Sequence, residues 1–188
     1  MGLGTLRRDV ERWGATDDEV AATYPCDALD PGADMVLWRA VTVHASPAVV
    51  FRWLCQLRVA PYSYDWIDNF GRQSPRHLIE GLDDLEVGQR FVAIFTLADF
   101  EQDRSLTIRG KHWAFGAIVI TYQVNPDPAG CRLVVKLRGR PARGPIGVLG
   151  RALLPAGDLV MMRKQLNNFA HLAETVGAAG VEPATSSL

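Results

Sequence analysis

The pattern of hydrophobic and polar positions between residues 35 and 57 changes from a period of two to a helical period. In MVLWRAVTVHA (35 to 45) one side of the segment carries Leu37, Arg39, Val41 and Val43. This alternation, with many β-branched residues, is typical of a strand. Ser46 and Pro47 then provide the start signal of a helix, whose apolar stripe would be Val50, Trp53, Leu54 and Leu57.

A period of two returns after residue 89. It predicts four strands, in RFVAIFTLADF (90 to 100), RSLTIRGK (104 to 111), FGAIVITYQV (115 to 124) and CRLVVKLRGR (131 to 140). Short polar or glycine-containing links separate these segments, as in an antiparallel meander. In the last segment one face carries Arg132, Lys136 and Arg138, so we expect that face of the sheet to be solvated.

Helix signals occupy the rest of the chain. Thr16 and Glu19 have the spacing of a capping box, and short helices are predicted within YSYDWIDNFG (62 to 71) and SPRHLIEGL (74 to 82). We interpret PARGPIGVLGRALLPAGD as a connection with at least one helical turn. Asp158 would then cap the longest helix, which ends at Gly177 and has the apolar stripe Leu159, Met162, Leu166, Phe169, Ala173 and Val176.

This order of elements predicts an α+β fold with a curved antiparallel sheet wrapped around one long C-terminal helix. A single helix leaves space over a wide sheet, so an internal cavity is expected between them. We divide the chain into an N-terminal arm with a short helix (1 to 34), the main domain (35 to 176) and a tail (177 to 188) that is expected to be disordered.

Composition narrows the choice of partners. The formal net charge of −1 argues against a nucleic-acid binder, because no basic field is available to attract phosphates. No signal peptide or transmembrane segment is predicted, and a cytoplasmic location is expected. The three cysteines form no C-x-x-C pair and the four histidines have no metal-site spacing, so we predict neither a metal nor a cofactor. The oligomeric state stays open.

Four segments carry a family resemblance. They are VTVHASPAVVFRWLCQL, YSYDWIDN, LEVGQR and LVMMRKQLNNFAHLAE. Together they resemble the SRPBCC superfamily, the helix-grip or START-like group that includes polyketide cyclases and lipid-transfer proteins. More narrowly, the chain resembles a bacterial branch in which a Tyr-Ser-Tyr-Asp-Trp element follows the first helix. The resemblance implies a helix-grip fold with an apolar cavity, but no single reaction, because family members range from carriers to enzymes.

Two interpretations of YSYDWIDNFG stay open. Tyr62, Asp65, Trp66 and Asn69 have helical spacing, so their side chains can either pack in the core or contact a ligand. Arg109 can pair with Asp65, hold a ligand carboxylate or lie at the surface. The candidate ligand-binding residues are Tyr62, Tyr64, Asp65, Trp66, Arg109, Trp113, Tyr122, Met162 and Leu166.

The favoured functional hypothesis is a carrier or binding protein for a small hydrophobic molecule, such as a lipid or polyketide. The alternative is a cofactor-independent polyketide cyclase or dehydratase in which Asp65 is the catalytic acid or base and either Tyr62 or Arg109 stabilises an enolate oxygen. A module that binds a protein partner in stress or regulation is a third class. Whether the chain is an enzyme is left open by its sequence.

Overall fold

The fold was established from a computed structural model of the chain, which describes residues 10–69, 71–92, 94–112, 116–141 and 144–178. The α-helices of this part of the chain are α1 (Asp17–Ala21), α2 (Pro25–Leu29), α3 (Pro47–Cys55), α4 (Asp65–Asp68) and α5 (Pro145–Ala178), and a 3-10 helix (Gln56–Arg58) directly follows α3. The strands are β1 (Arg12–Trp13), β2 (Met35–Val43), β3 (Phe95–Glu101), β4 (Ser105–His112), β5 (Gly116–Asp127) and β6 (Gly130–Arg140).

One six-stranded sheet, in the order β1-β2-β6-β5-β4-β3, forms the centre of the fold. The predicted antiparallel meander from β3 to β6 is confirmed, and β2 closes against β6 with Leu37 opposite Leu137. The short strand β1 was not predicted, and it pairs parallel to β2 through Arg12 and Trp13. With α5 packed against this mixed sheet, the chain has the predicted α+β, helix-grip architecture.

The main core lies between the inner face of the sheet, α3 and the C-terminal half of α5. The predicted stripe on α5 is confirmed at its buried members, Met162, Leu166, Phe169 and Ala173. From the sheet, alternate positions of each strand reach the same cluster, including Leu106, Tyr122, Leu133 and Val135. The local period of two therefore sets which face of each strand the helix covers.

The outer face of the sheet at β6 is not solvated, in contrast to the prediction, because the N-terminal arm covers it. The capping box of α1 is present, and its Glu19 also forms a salt bridge of 2.8 Å with Arg132. Asp27 on α2 lies 2.8 Å from both Lys136 and Arg138, and Lys136 is only 5% exposed. Carboxylates of the N-terminal arm thus form salt bridges with the basic residues that were predicted to be exposed to solvent.

Two predicted helices differ from the structure. Residues 74 to 82 form no helix, because the hydroxyl of Ser74 donates to Asp65 over 2.5 Å instead of capping a helix. The long helix α5 has 34 residues and starts at Pro145, so Asp158 lies inside it and does not cap it. Pro155 also lies within α5. It removes one helical hydrogen bond without ending the helix.

The helices in the described ranges do not include one that is both long and apolar enough to cross a bilayer. The predicted ligand contact Trp113 and most of the predicted tail lie outside the described residues.

Candidate functional site

An open apolar groove of about 690 Å³ lies along the N-terminal half of α5. The helix contributes Leu149, Gly150, Leu153, Leu154, Gly157, Asp158 and Met161 to its lining. The opposite wall consists of Ile67, Phe95 and Ile118. Leu149, Leu153 and Ile67 are also exposed, so the rim of the groove presents apolar side chains to solvent.

A smaller space of about 190 Å³, the inner pocket, lies next to the groove and shares Phe95 and Met161 with it. Among its lining residues are two predicted ligand contacts, Tyr122 and Met162. The Tyr122 hydroxyl donates to Gln165 Oε1 over 2.9 Å, and Gln165 Nε2 donates to the Pro61 carbonyl over 2.6 Å. These polar groups are therefore already paired within the protein.

Asp158 is the charged residue in the lining of the groove. Arg39 Nη2 lies 2.7 Å from Asp158 Oδ2, and the Arg39 side chain is only 1% exposed. Arg39 Nη1 donates to the backbone carbonyls of Val10 and Trp38, each over 2.8 Å, whereas Arg39 Nε is buried without a hydrogen-bond partner among the described residues. Burial raises the pKa of Asp158 to about 6, and the nearby Arg39 guanidinium opposes that rise.

Tyr62 belongs to the core and not to the groove. Its ring lies 5.2 Å from that of Phe169 and 6.0 Å, edge to face, from that of Trp53. Its backbone has a φ of +55°, which is unusual for a residue with a Cβ and costs on the order of 1 kcal/mol. The Asn168 side chain donates to the Tyr62 carbonyl over 2.8 Å and helps to hold this conformation. Tyr62 therefore precedes α4 and does not share a helical face with Asp65.

Asp65 and Tyr62 both line a separate cleft of about 80 Å³, together with Ser74 and His171. The Ser74 hydroxyl and backbone N–H both donate to the Asp65 carboxylate, over 2.5 and 2.9 Å. Burial, with a smaller effect of Asp65, raises the pKa of the Tyr62 hydroxyl to about 12. The structure thus brings the two catalytic candidates to one cleft, but places neither in the lining of the groove.

The remaining predicted contacts are scattered. Tyr64 is partly buried immediately before α4, and Leu166 is fully buried in the core. Arg109 is exposed on the outer face of the sheet, opposite Val119 of β5, so it faces away from Tyr122. It therefore lies apart from both Asp65 and the groove.

Trp66 is 76% exposed, which matches neither a core residue nor a buried pocket wall. Replacing Trp66 with Ala is expected to change the free energy of unfolding by no more than about 0.5 kcal/mol, because little buried contact is lost. Urea unfolding of the variant measures this change. A loss of several kcal/mol would instead show that the ring packs against the protein.

Sequence reasoning missed most of the groove. Leu149, Leu153, Gly157 and Met161 recur every four residues, which is a helical spacing. The predicted helix begins at Asp158 and so includes Met161 but not the other three, because Pro155 and the nearby glycines are signals of a connection. The other missed signal is Arg39, which sits on the apolar face of β2 and needs a buried partner.

The described residues contain no group of three or more His, Cys, Asp or Glu side chains arranged to hold a metal ion. Cys26, Cys55 and Cys131 are buried free thiols, and burial raises the pKa of Cys55 to about 12. Such thiols are protonated at neutral pH and are poor nucleophiles or metal ligands.

Comparison with known proteins shows the fold. No family model matches the sequence, and no curated protein is significantly similar to it. A hypothetical protein from Helicobacter pylori is similar in structure, with a TM-score of 0.53 and 16% identity, over 81% of this chain and 95% of that one. A Chromobacterium violaceum protein has a TM-score of 0.50 and 14% identity, over 74% and 97% of the two chains.

The di-domain ARO/CYC protein StfQ from the steffimycin biosynthetic pathway is also similar. It has a TM-score of 0.50 and 11% identity, over 78% of this chain and 52% of StfQ. At this level of identity the likeness shows the helix-grip type of fold and does not transfer an activity.

Proposed function

We propose that this protein binds a small hydrophobic molecule, lipid-like or polyketide-like, in the groove, and that it is a member of the SRPBCC superfamily. The observation that carries the proposal is the groove itself. Its volume of about 690 Å³ lies in the range of small-molecule sites, and its lining is apolar except for Asp158. Burial of the ligand's apolar body drives binding at about 25 cal/mol per Å².

The position of the groove supports a site for exchangeable ligands. Its rim includes the exposed side chains of Leu149, Leu153 and Ile67, which remain in water when no ligand is present. Met161 at the junction with the inner pocket is unbranched and adaptable, so it suits guests of different shape. A ligand that covers these side chains removes apolar surface from water on both partners.

A cofactor-independent cyclase or dehydratase that uses Asp65 as acid or base is the second candidate. This candidate is supported by the finding that Asp65, Tyr62 and His171 line the same cleft. That cleft has about 80 Å³, whereas small-molecule sites usually have at least about 300 Å³. Both Asp65 oxygens also accept hydrogen bonds from Ser74. The geometry therefore supports binding in the groove better than catalysis at Asp65.

Filling the groove is expected to weaken ligand binding strongly. A Cβ added at Gly157 meets no atom within 4 Å, so Gly157→Phe can place a ring in the groove without a backbone clash. The measurement is the fluorescence of N-phenyl-1-naphthylamine, a neutral probe that brightens in apolar sites. We expect the variant to bind the probe at least about tenfold more weakly than the unmodified protein.

Ala156→Phe is the matched control, because Ala156 is the exposed neighbour of Gly157 on α5 and does not line the groove. It should bind the probe like the unmodified protein. Native mass spectrometry of the freshly purified proteins tests the same point without a probe, since a passenger molecule should be lost only from Gly157→Phe. Failure of the unmodified protein to bind the probe, or equal binding by both variants, would overturn the proposal.

A further inference from the structure

The Asp158–Arg39 pair presents only its negative end to the groove. Arg39 is 1% exposed, and its Nη2 atom also lies 3.2 Å from the Pro155 carbonyl. The Asp158 side chain is 15% exposed and lines the groove. A ligand in the groove therefore meets the carboxylate and cannot reach the guanidinium.

One carboxylate oxygen of Asp158 is available to a ligand. Oδ2 is buried beside Arg39, whereas Oδ1 is not among the buried atoms and receives no hydrogen bond from the described residues. An ionised carboxylate accepts hydrogen bonds and cannot donate them. In an apolar groove, a ligand O–H group that donates to this carboxylate oxygen strengthens ligand binding. An anionic ligand group instead brings a second negative charge close to the carboxylate and weakens binding.

We propose that Asp158 makes the groove selective for uncharged hydrophobic molecules that carry a hydroxyl group, and that it discriminates against molecules with an anionic head. This inference rests on the proposed binding function of the groove. Asp158 acts as the acceptor for the ligand hydroxyl. Arg39 acts as a positioning residue, because it fixes the carboxylate without touching the ligand.

The test uses two probes with the same alkyl chain, decan-1-ol and decane-1-sulfonate, which displace N-phenyl-1-naphthylamine from the groove. Decane-1-sulfonate stays anionic at both pH 5 and pH 8, so only the protein changes its charge. At pH 8 we expect the alcohol to bind at least about tenfold more tightly than the sulfonate, since two like charges close together in an apolar groove are unfavourable. Asp158→Asn should reduce this ratio by at least about tenfold.

Asp34→Asn is the control, because Asp34 forms an exposed pair with Arg151 of α5, 3.1 Å away, and does not line the groove. It should keep the ratio of the unmodified protein. If Asp158→Asn does not fold, the same ratio measured at pH 5 in the unmodified protein decides the question, because Asp158 is then largely protonated. The ratio should fall at pH 5.

The titratable groups that interact electrostatically with Asp158 in the described structure are Arg39 from β2 and Tyr122 from β5. Burial raises the pKa of Tyr122, so its hydroxyl stays protonated at both pH values, and Arg39 stays charged. A ratio that is unchanged at pH 5 and in Asp158→Asn would overturn the selectivity proposal. Absence of probe binding would instead overturn the proposed function, so the two failures are distinguishable.

Discussion

Replacing Arg39 with Met is expected to lower the free energy of unfolding by about 3 to 5 kcal/mol at pH 8. The change leaves the Asp158 carboxylate in an apolar groove without the guanidinium that lies 2.7 Å away. The backbone carbonyls of Val10 and Pro155 also lose their donor. Urea unfolding at pH 8 measures the loss.

The stability lost in Arg39→Met should depend on pH, and its direction follows from the pKa of Asp158. The pKa of Asp158 is raised to about 6 in the folded protein by burial, from an unfolded value of 3.8. A raised pKa means that the folded state favours the protonated carboxyl. The contribution of Asp158 to the free energy of unfolding is therefore complete below about pH 4 and is lost as the pH rises through about 6. Removing Arg39 removes the effect that lowers this pKa. The cost of Arg39→Met should therefore be smaller at pH 5 than at pH 8.

Two controls test the physical cause. The double variant Arg39→Met, Asp158→Leu removes both charges and should recover most of the lost stability, because no unpaired ion remains. Arg151→Met removes one partner of the exposed pair with Asp34 and should cost no more than about 1 kcal/mol. A cost of Arg39→Met equal to that of Arg151→Met would contradict the importance of the buried pair.

The strands and their pairing were predictable because their signals are local. Each strand alternates apolar and polar positions, and short links such as Pro128 and Ala129 between β5 and β6 allow only antiparallel neighbours. The same local reading placed Lys136 in solvent. Its partner Asp27 lies on α2, far away in sequence, and no pattern within β6 indicates that the arm folds over it.

The candidate site depended on contacts that local patterns do not contain. Asp158 follows a glycine and precedes an apolar stripe, which are the signals of a helix cap. In the fold it pairs with Arg39 of β2, and that long-range contact gives the residue its role in the groove. In the sequence, the indication of such a contact is Arg39 on the apolar face of β2, because a buried guanidinium needs a buried hydrogen-bond acceptor.

Replacing Trp53 with Ala is the second change with a large expected effect, about 3 to 5 kcal/mol of the free energy of unfolding. Trp53 is 0% exposed on α3, and its ring packs edge to face with Tyr62. Its indole N–H has no hydrogen-bond partner among the described residues, so the loss comes from packing and from the cavity that remains. Urea unfolding compared with Trp66→Ala measures the difference between a buried and an exposed indole.

Trp53→Phe is the matched control. It keeps an aromatic ring beside Tyr62 and removes an N–H that is buried without a partner, so it should cost clearly less than Trp53→Ala. Binding of N-phenyl-1-naphthylamine by the folded fraction should be unchanged in both variants, because Trp53 does not line the groove. Equal costs for Trp53→Ala and Trp66→Ala would contradict this division of the aromatic residues, in which Trp53 and Tyr62 support the fold while Trp66 lies at the surface.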